Sequence, residues 1–220
     1  MASEVEICNL ALGNIRAGSI NSLDESGLQA ETCKLRYPIV RDMLLAIADW
    51  NFAMQFEALA VRSETIFGWV YVYQVPSDCL HISKLQLNYA TVSANDVAGS
   101  SAVSRRMESY YQPDLDAQVK YKRIALSDNT QVILANDSNL RAWYRARMTD
   151  TTRFSPEFVM ALSWLLAAEI AVPIVGSGEG RALRKDALSI YKSELAAAVS
   201  SNENEEYSPP PESEHVLVRS

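Results

Sequence analysis

The spacing of apolar residues changes twice along this chain, and this change constrains the fold more than any other feature. In residues 1–54 and 150–200, apolar side chains recur every three or four positions, as on one face of a helix. Between residues 55 and 149 they alternate with polar ones, as in strands. The pattern predicts an α+β protein: helices from both chain ends form a bundle, a β-rich domain is inserted between them, and residues 201–220 form an extended tail.

Four helices are predicted, at about 3–15, 28–49, 155–172 and 181–200. The apolar stripe of the second helix, expected to face the core, is Cys33, Tyr37, Val40, Leu44 and Ile47. Pro38 lacks an N–H and is expected to kink the second helix or break its first turn. Ser155 followed by Pro156 is typical of a helix start, because serine caps free N–H groups and proline suits the first helical position. Pro173 and the glycines after it are expected to end the third helix.

The insert is expected to contain strands at about 56–61, 69–75, 80–87, 119–125, 131–135 and 140–148. Trp69, Tyr71 and Tyr73 fall on one face of a strand and Val70 and Val72 on the other, which predicts burial of both faces. Residues 127–130 predict a hairpin turn, since Asp and Asn tolerate positive φ. The polar stretch 94–117 is interpreted as an exposed excursion that meets partners.

Composition limits the class of protein. The 220 residues carry a net charge of −7, whereas nucleic-acid binders cluster Lys and Arg, so tight DNA binding is not expected. The first residues lack the features of a signal peptide. Cys8, Cys33 and Cys79 have no zinc-site or disulfide spacing and are interpreted as core fillers.

The most apolar stretch, Phe158 to Val175, is long enough to raise the question of a membrane span. Glu169 and Pro173 lie inside it, and a helix that is apolar all round also suits the core of a bundle. We therefore expect a buried helix and no membrane insertion.

A catalytic site is not predicted, and neither is a cofactor. The chain has two histidines, His81 in a predicted strand and His215 in the tail, so a histidine-based triad or metal site is hard to assemble. The glycines from Gly176 to Gly180 follow a helix and lack the GK[ST] ending of a phosphate-binding loop, which favours a helix–helix turn. We therefore expect a protein that is not an enzyme.

Four stretches, taken together and in this order, resemble the tail tubular protein A family of short-tailed phages, related in fold to the helical head–tail connector proteins. They are Ile7-Cys8-Asn9-Leu10-Ala11-Leu12-Gly13 with Ile15; Arg41-Asp42 with Leu44-Leu45 and Trp50-Asn51-Phe52-Ala53; Trp69-x-Tyr71-x-Tyr73-x-x-Pro76-x-Asp78-Cys79-Leu80; and Thr149-Asp150 with Phe154, Pro156, Phe158 and the run to Pro173. His81 stands where family members more often place Arg, and residues 94–117 do not align with them.

The resemblance implies a homo-oligomeric adaptor, a dodecameric ring that lies beneath the portal protein and above the tail nozzle. It also implies that tail fibres dock at the outer wall and that double-stranded DNA passes through the lumen without specific binding. Such a protein belongs to the virion and is assembled in the cytoplasm of the bacterial host. A lumen that shares the negative charge of the chain would repel the DNA backbone.

Three groups of residues are candidates for contacts in such an assembly. Aromatic anchors of a subunit interface or of the core are Trp69, Tyr71, Tyr73, Trp143 and Trp164. Residues proposed to dock on the portal or on a neighbour are Pro209, Pro210, Pro211, Val216, Leu217 and Val218. Residues proposed to meet the tail side are Arg105, Arg106, Tyr110 and Tyr111. The alternatives are a neck or head-completion protein of another connector family, a tail-associated hydrolase, and an acidic DNA mimic or regulatory protein.

Overall fold

The computed structural model describes residues 2–87 and 119–204. Within these ranges the chain forms four α-helices, a short 3-10 helix and two small antiparallel sheets, which confirms the predicted α+β class. The helices are α1 (Glu4–Asn14), α2 (Leu28–Ile47), α3 (Pro156–Val175) and α4 (Glu179–Asn204), with the 3-10 helix at Thr151–Arg153. The strands are β1 (Met54–Ala58), β2 (Tyr71–Gln74), β3 (Cys79–Leu87), β4 (Tyr121–Ala125), β5 (Gln131–Ala135) and β6 (Leu140–Ala146).

The chain divides into two compact units. The helical unit comprises Met1–Leu44, Trp50–Phe52 and Thr149–Ser220, and the β unit comprises Leu45–Asp49 and Ala53–Met148. The predicted domain boundaries, after residues 54 and 149, lie close to the points where the chain passes from one unit to the other. The prediction had placed residues 45–49, 53 and 54 in the helical domain, whereas they group with the β unit.

Helix α3 forms the centre of the helical unit, where it packs against α4 and α1. Phe158, Leu162, Leu166 and Ile170 are fully buried. By length and composition α3 would pass for a membrane-crossing helix, but 61% of its most apolar window is buried inside the protein. Its apolar character therefore has an explanation in the core of the bundle.

Both helical prolines lie inside helices that continue past them, so the predicted break of the first turn of α2 does not occur, and the predicted kink at Pro38 stays a prediction. Helix α2 continues through Pro38, which lies exposed in its middle, where water can reach the carbonyl that loses its backbone hydrogen bond. Helix α3 does not end at Val172 but at Val175, because Pro173 lies in the last turn. Gly176, with a φ of 96°, then caps the helix. The predicted start at Ser155 is confirmed, since its side chain accepts a hydrogen bond from the Phe158 N–H.

The described residues of the β unit form two three-stranded antiparallel sheets, in the orders β1-β6-β3 and β2-β5-β4. Strand β5 is buried from Val132 to Ala135, and β2 buries both Val72 and Tyr73, which confirms burial on both of its faces. The prediction is wrong for Val70, which precedes β2 and is exposed. The predicted hairpin joins β4 to β5: the Leu126 N–H donates to the Thr130 carbonyl, and Asn129 has a φ of 64°.

Candidate interaction surfaces

Helix α2 carries a row of exposed apolar side chains. Leu28, Leu35, Ile39 and Met43 are 52%, 64%, 52% and 51% exposed, and we call this row the α2 ridge. Residues three or four apart share a helix face, so the row is continuous from Leu35 to Met43. From Leu28 to Met43 it is about 22 Å long at 1.5 Å per residue.

The opposite face of α2 holds the predicted core stripe. Cys33, Tyr37, Val40 and Leu44 are all buried. Helix α2 therefore has apolar residues on two faces, and its own unit uses one of them. A contiguous exposed apolar row of this kind marks an interaction surface more often than it marks a free surface.

The ridge was not predicted from the sequence, because the stripe from Cys33 to Ile47 already accounts for one buried face of α2 and the other faces were expected to be solvated. The signal was present in the sequence, since Leu35, Ile39 and Met43 are spaced four residues apart. Ile47, which the sequence had placed in the core stripe, is 48% exposed.

A second surface lies along α4 and is basic. A shallow groove of about 620 Å³ is lined by Val172, Arg181, Arg184, Lys185, Leu188, Ser189 and Lys192, and we call it the α4 groove. Arg184 forms an ion pair of 2.9 Å with Glu169 on α3. The basic groove was not predicted from the sequence, because the chain as a whole carries a net negative charge.

The predicted aromatic anchors are spread over both units. Tyr73 is fully buried in the β unit, and its hydroxyl donates to the Asp137 carbonyl at 2.8 Å. Tyr71 is half-buried and packs against the same core as Tyr73. Trp69 packs instead against the Val72 side of the sheet, because it precedes β2 and does not continue its alternation. The expectation that all three share one face is therefore wrong for Trp69.

The two remaining anchors differ in exposure. Trp143 on β6 is 38% exposed and lies beside Phe56 on β1, with ring centroids 4.5 Å apart. The Arg141 guanidinium stands 4.9 Å from the Phe56 ring centroid. This pair forms an exposed aromatic patch on the β unit, of which the sequence had suggested Trp143 alone. Trp164, in α3, is half-buried.

Side chains of the first two motifs form hydrogen bonds to the backbone or a buried ion pair. The Asn9 side chain donates to the Ile20 carbonyl at 2.9 Å and accepts from the Ile20 N–H at 2.8 Å. Arg41 is buried and pairs with Asp42 at 2.8 Å. The Trp50 indole N–H donates to the Leu44 carbonyl at 2.9 Å, within the last turn of α2.

The aromatic and amide residues after Trp50 hold the end of the helical unit together. Phe52 packs with Phe154 and Phe158, with centroids 5.6 and 5.1 Å apart. Asn51 makes two hydrogen bonds of 2.9 Å with Asn202, one through its N–H and one through its side chain. These contacts fix the C-terminal end of α4.

In the third motif, Asp78 accepts a hydrogen bond from the Tyr144 hydroxyl at 3.2 Å, and the Asp78 carbonyl accepts one from the Arg147 N–H at 2.7 Å. Burial and the nearby carboxylates of Asp78 and Glu57 raise the pKa of Tyr144. In the fourth motif, the Asp150 carboxylate accepts from the Thr152 N–H and caps the 3-10 helix. The motif residues therefore have defined structural roles.

Two of the three cysteines lie together in the core. Cys8 on α1 and Cys33 on α2 are fully buried. The hydrogen bond between the two thiols and the burial of Cys8 raise the pKa of Cys8, so this thiol stays protonated and unreactive at neutral pH. Cys79 is partly exposed in β3.

Several predicted contact residues fall outside the residues that the structure describes. They are Arg105, Arg106, Tyr110 and Tyr111 of the excursion, and Pro209, Pro210, Pro211, Val216, Leu217 and Val218 of the tail. Their proposed contacts stay predictions.

In comparisons with known proteins, no protein-family model matches the chain and no curated protein matches it. The family resemblance therefore rests on the four sequence motifs alone.

Proposed function

We propose that this protein is a ring-forming head-to-tail adaptor of a short-tailed phage, which joins the portal to the tail nozzle. The observation that carries the proposal is the α2 ridge. A ring subunit needs a large surface that is complementary to another part of an identical subunit, and such surfaces are rich in apolar residues at their centre. The ridge offers this surface on a helix that the core already holds in place.

The four ordered motifs support the same function. Their residues fix the structure of each unit: Asn9 binds the loop after α1, and Asn51 holds the end of α4. A helical unit assembled from both chain ends and an inserted β unit is the organisation that the resemblance implies. Fibre docking at the outer wall and DNA passage through the lumen belong to the same proposal and rest on the resemblance.

The proposal is tested by negative-stain microscopy and native mass spectrometry of the purified protein, alone and with a portal protein of a short-tailed phage. We expect closed rings, alone or on the portal. The variant with Ile39→Glu and Met43→Glu should lose rings, because two carboxylates would be buried at the centre of the contact. Monomers that form no rings at any concentration and do not bind portal would contradict the proposal.

A matched control places charge changes on the same helix but outside the ridge. Glu31→Lys and Lys34→Glu exchange two exposed charges and leave the net charge unchanged; they remove the ion pair of Lys34 with Asp24, which is exposed and contributes little to stability. We expect this variant to form rings like the wild type. Loss of rings in both variants would assign the effect to charge on α2 in general, and the ridge would not be the contact.

A further inference from the structure

The α4 groove is basic along one helix face. Lys185 follows Arg181 by four residues and Lys192 follows Lys185 by seven, so the three cations lie on the same side of α4, with Leu188 between the two lysines. All three cations are exposed. Glu179, Asp186 and Glu194, the acidic residues of α4 nearest to these cations, lie on other sides of the helix by their spacing. The groove therefore presents positive charge to the solvent.

Nothing within the described part of the chain neutralises these three cations. Ion pairs there include Arg184 with Glu169 but none to Arg181, Lys185 or Lys192. Arg181 and Lys185 are four residues apart, where like charges destabilise a helix. Arg181 also lies in the first turn, where the helix dipole disfavours a cation. These costs would be offset by a bound anionic group.

The chain carries such a group directly beyond α4. Residues 205–220 contain Glu205, Glu206, Glu212 and Glu214 against one basic residue, Arg219. This segment starts at the end of α4, which Asn51 holds through Asn202. Its starting point is therefore fixed relative to the groove on the same helix.

The distance that residues 205–220 can span determines which of their carboxylates can reach Lys185 and Lys192. Lys192 lies twelve residues before Asn204 and Lys185 nineteen, which is about 18 and 29 Å along the helix. An extended chain from Asn204 reaches about 27 Å at Glu212 and about 33 Å at Glu214. Glu212 can therefore return to Lys192 and Glu214 to Lys185, whereas Glu205 and Glu206 are too close to Asn204.

We infer that the acidic segment around Glu212 and Glu214 folds back and binds the α4 groove of its own chain. Exposed ion pairs are individually weak, so the same contact between separate molecules would need high concentrations. A segment tethered to the same helix acts at an effective concentration in the millimolar range, which favours the intramolecular contact. This inference does not depend on ring formation or on a phage partner.

The contact is tested by zero-length carbodiimide crosslinking of the full chain, prepared as an equal mixture of unlabelled and nitrogen-15-labelled protein. We expect amide bonds from Glu212 or Glu214 to Lys185 or Lys192 at low salt, within peptide pairs of one label. At about 1 M salt, where the screening length is about 3 Å, these crosslinks should be lost. If about half of these crosslinked pairs carried mixed labels, as random pairing in an equal mixture requires, the segment would bind a neighbouring molecule and the intramolecular contact would be overturned.

A second measurement uses cleavage after Glu212 and Glu214 by a glutamate-specific protease. We expect Lys185→Glu with Lys192→Glu to speed this cleavage several-fold at low salt, because the bound segment is released. The control variant, Lys120→Glu with Lys122→Glu, makes the same charge change on two exposed residues of the β unit and should cleave like the wild type. Equal cleavage in all three proteins would overturn the inference.

Nucleic acid is the competing anion. If the full chain bound a short DNA duplex at low salt through Lys185 and Lys192, with no change in cleavage of the segment, the groove would be a phosphate site and the inference would be wrong.

Discussion

Asn9 determines the path of the chain between the first two helices through a single side chain. Its amide both donates to and accepts from the backbone of Ile20, whose own side chain is buried. The Asn9 amide therefore gives the backbone N–H and carbonyl of Ile20 the two hydrogen bonds that a neighbouring strand would otherwise provide. The loop of residues 16–27 is thus held against α1 without regular structure.

Removing this amide should destabilise the helical unit. We expect Asn9→Ala to lower the free energy of unfolding by about 1–3 kcal/mol, because both backbone groups of Ile20 lose their partner. Asn9→Asp keeps the acceptor for the Ile20 N–H but places a carboxylate oxygen against the Ile20 carbonyl, so it should not restore stability. Urea denaturation measures both variants, and an unchanged midpoint in Asn9→Ala would show that the clamp contributes nothing.

At the scale of the element, the close approach of α3 and α4 depends on one glycine. A Cβ added to Gly180 would lie 2.8 Å from the Ala171 carbonyl oxygen and 2.9 Å from the Val172 Cα. Both are backbone atoms of α3, so the clash cannot be relieved by a side-chain rotation. The glycine-rich stretch that superficially resembles a phosphate loop is therefore a turn that permits tight helix packing.

Gly180→Ala should separate the two helices and destabilise the protein by about 1–3 kcal/mol, which is the usual cost of overpacking. Gly178 offers a matched control, since a Cβ there meets nothing within 4 Å and its φ is not positive. We expect Gly178→Ala to be neutral or slightly stabilising. Thermal or urea unfolding compares the two, and equal stability would contradict the packing argument.

An element can be predicted from the sequence when residues close to it in the chain determine its structure. The Ser155 cap, the all-round apolar character of α3 and the hairpin at Asn129 depend on neighbouring residues, and the sequence predicts them. The face of Trp69 depends on where β2 begins, and the ridge of α2 depends on which apolar face the core covers. Both are set by tertiary packing, which spacing alone does not contain. The basic α4 groove could not be predicted from the net charge either, because the net charge sums over the whole chain and does not show where positive residues cluster.

At the scale of the whole molecule, several carboxylates are stabilised in their charged form by the fold. Hydrogen bonds from Ser3 lower the pKa of Glu6, and the Lys34 ammonium lowers the pKa of Asp24. Burial alone would raise the pKa of Asp49, but hydrogen bonds from Arg145 and Ser83 outweigh it and leave the pKa lowered. Hydrogen bonds from Thr152 lower the pKa of Asp150.

These shifts predict acid sensitivity. The unfolded chain binds protons at the ordinary pKa values of 4.5 for Glu and 3.8 for Asp, before the folded protein does. The stabilisation is therefore complete above these values and is lost as the pH falls through the lowered values of the folded state. We expect the urea midpoint to fall steadily below about pH 4.5.

Asp49→Asn provides the control for this pH dependence. It removes one of the titrating groups, so its midpoint should be lower than that of the wild type at pH 7 and should decline less on acidification. A wild-type midpoint that stays constant or rises between pH 5 and pH 3 would contradict the assignment.

The discontinuous helical unit has a consequence for synthesis. The Asn14 side chain on α1 bonds to Ser163 on α3, 149 residues further along the chain. When α1 leaves the ribosome, helix α3, which it packs against, does not yet exist, and the whole β unit must be translated first. Nascent chains therefore spend this interval with the face of α1 that α3 covers exposed to solvent, so chaperones that hold apolar segments should engage this N-terminal segment until α3 emerges.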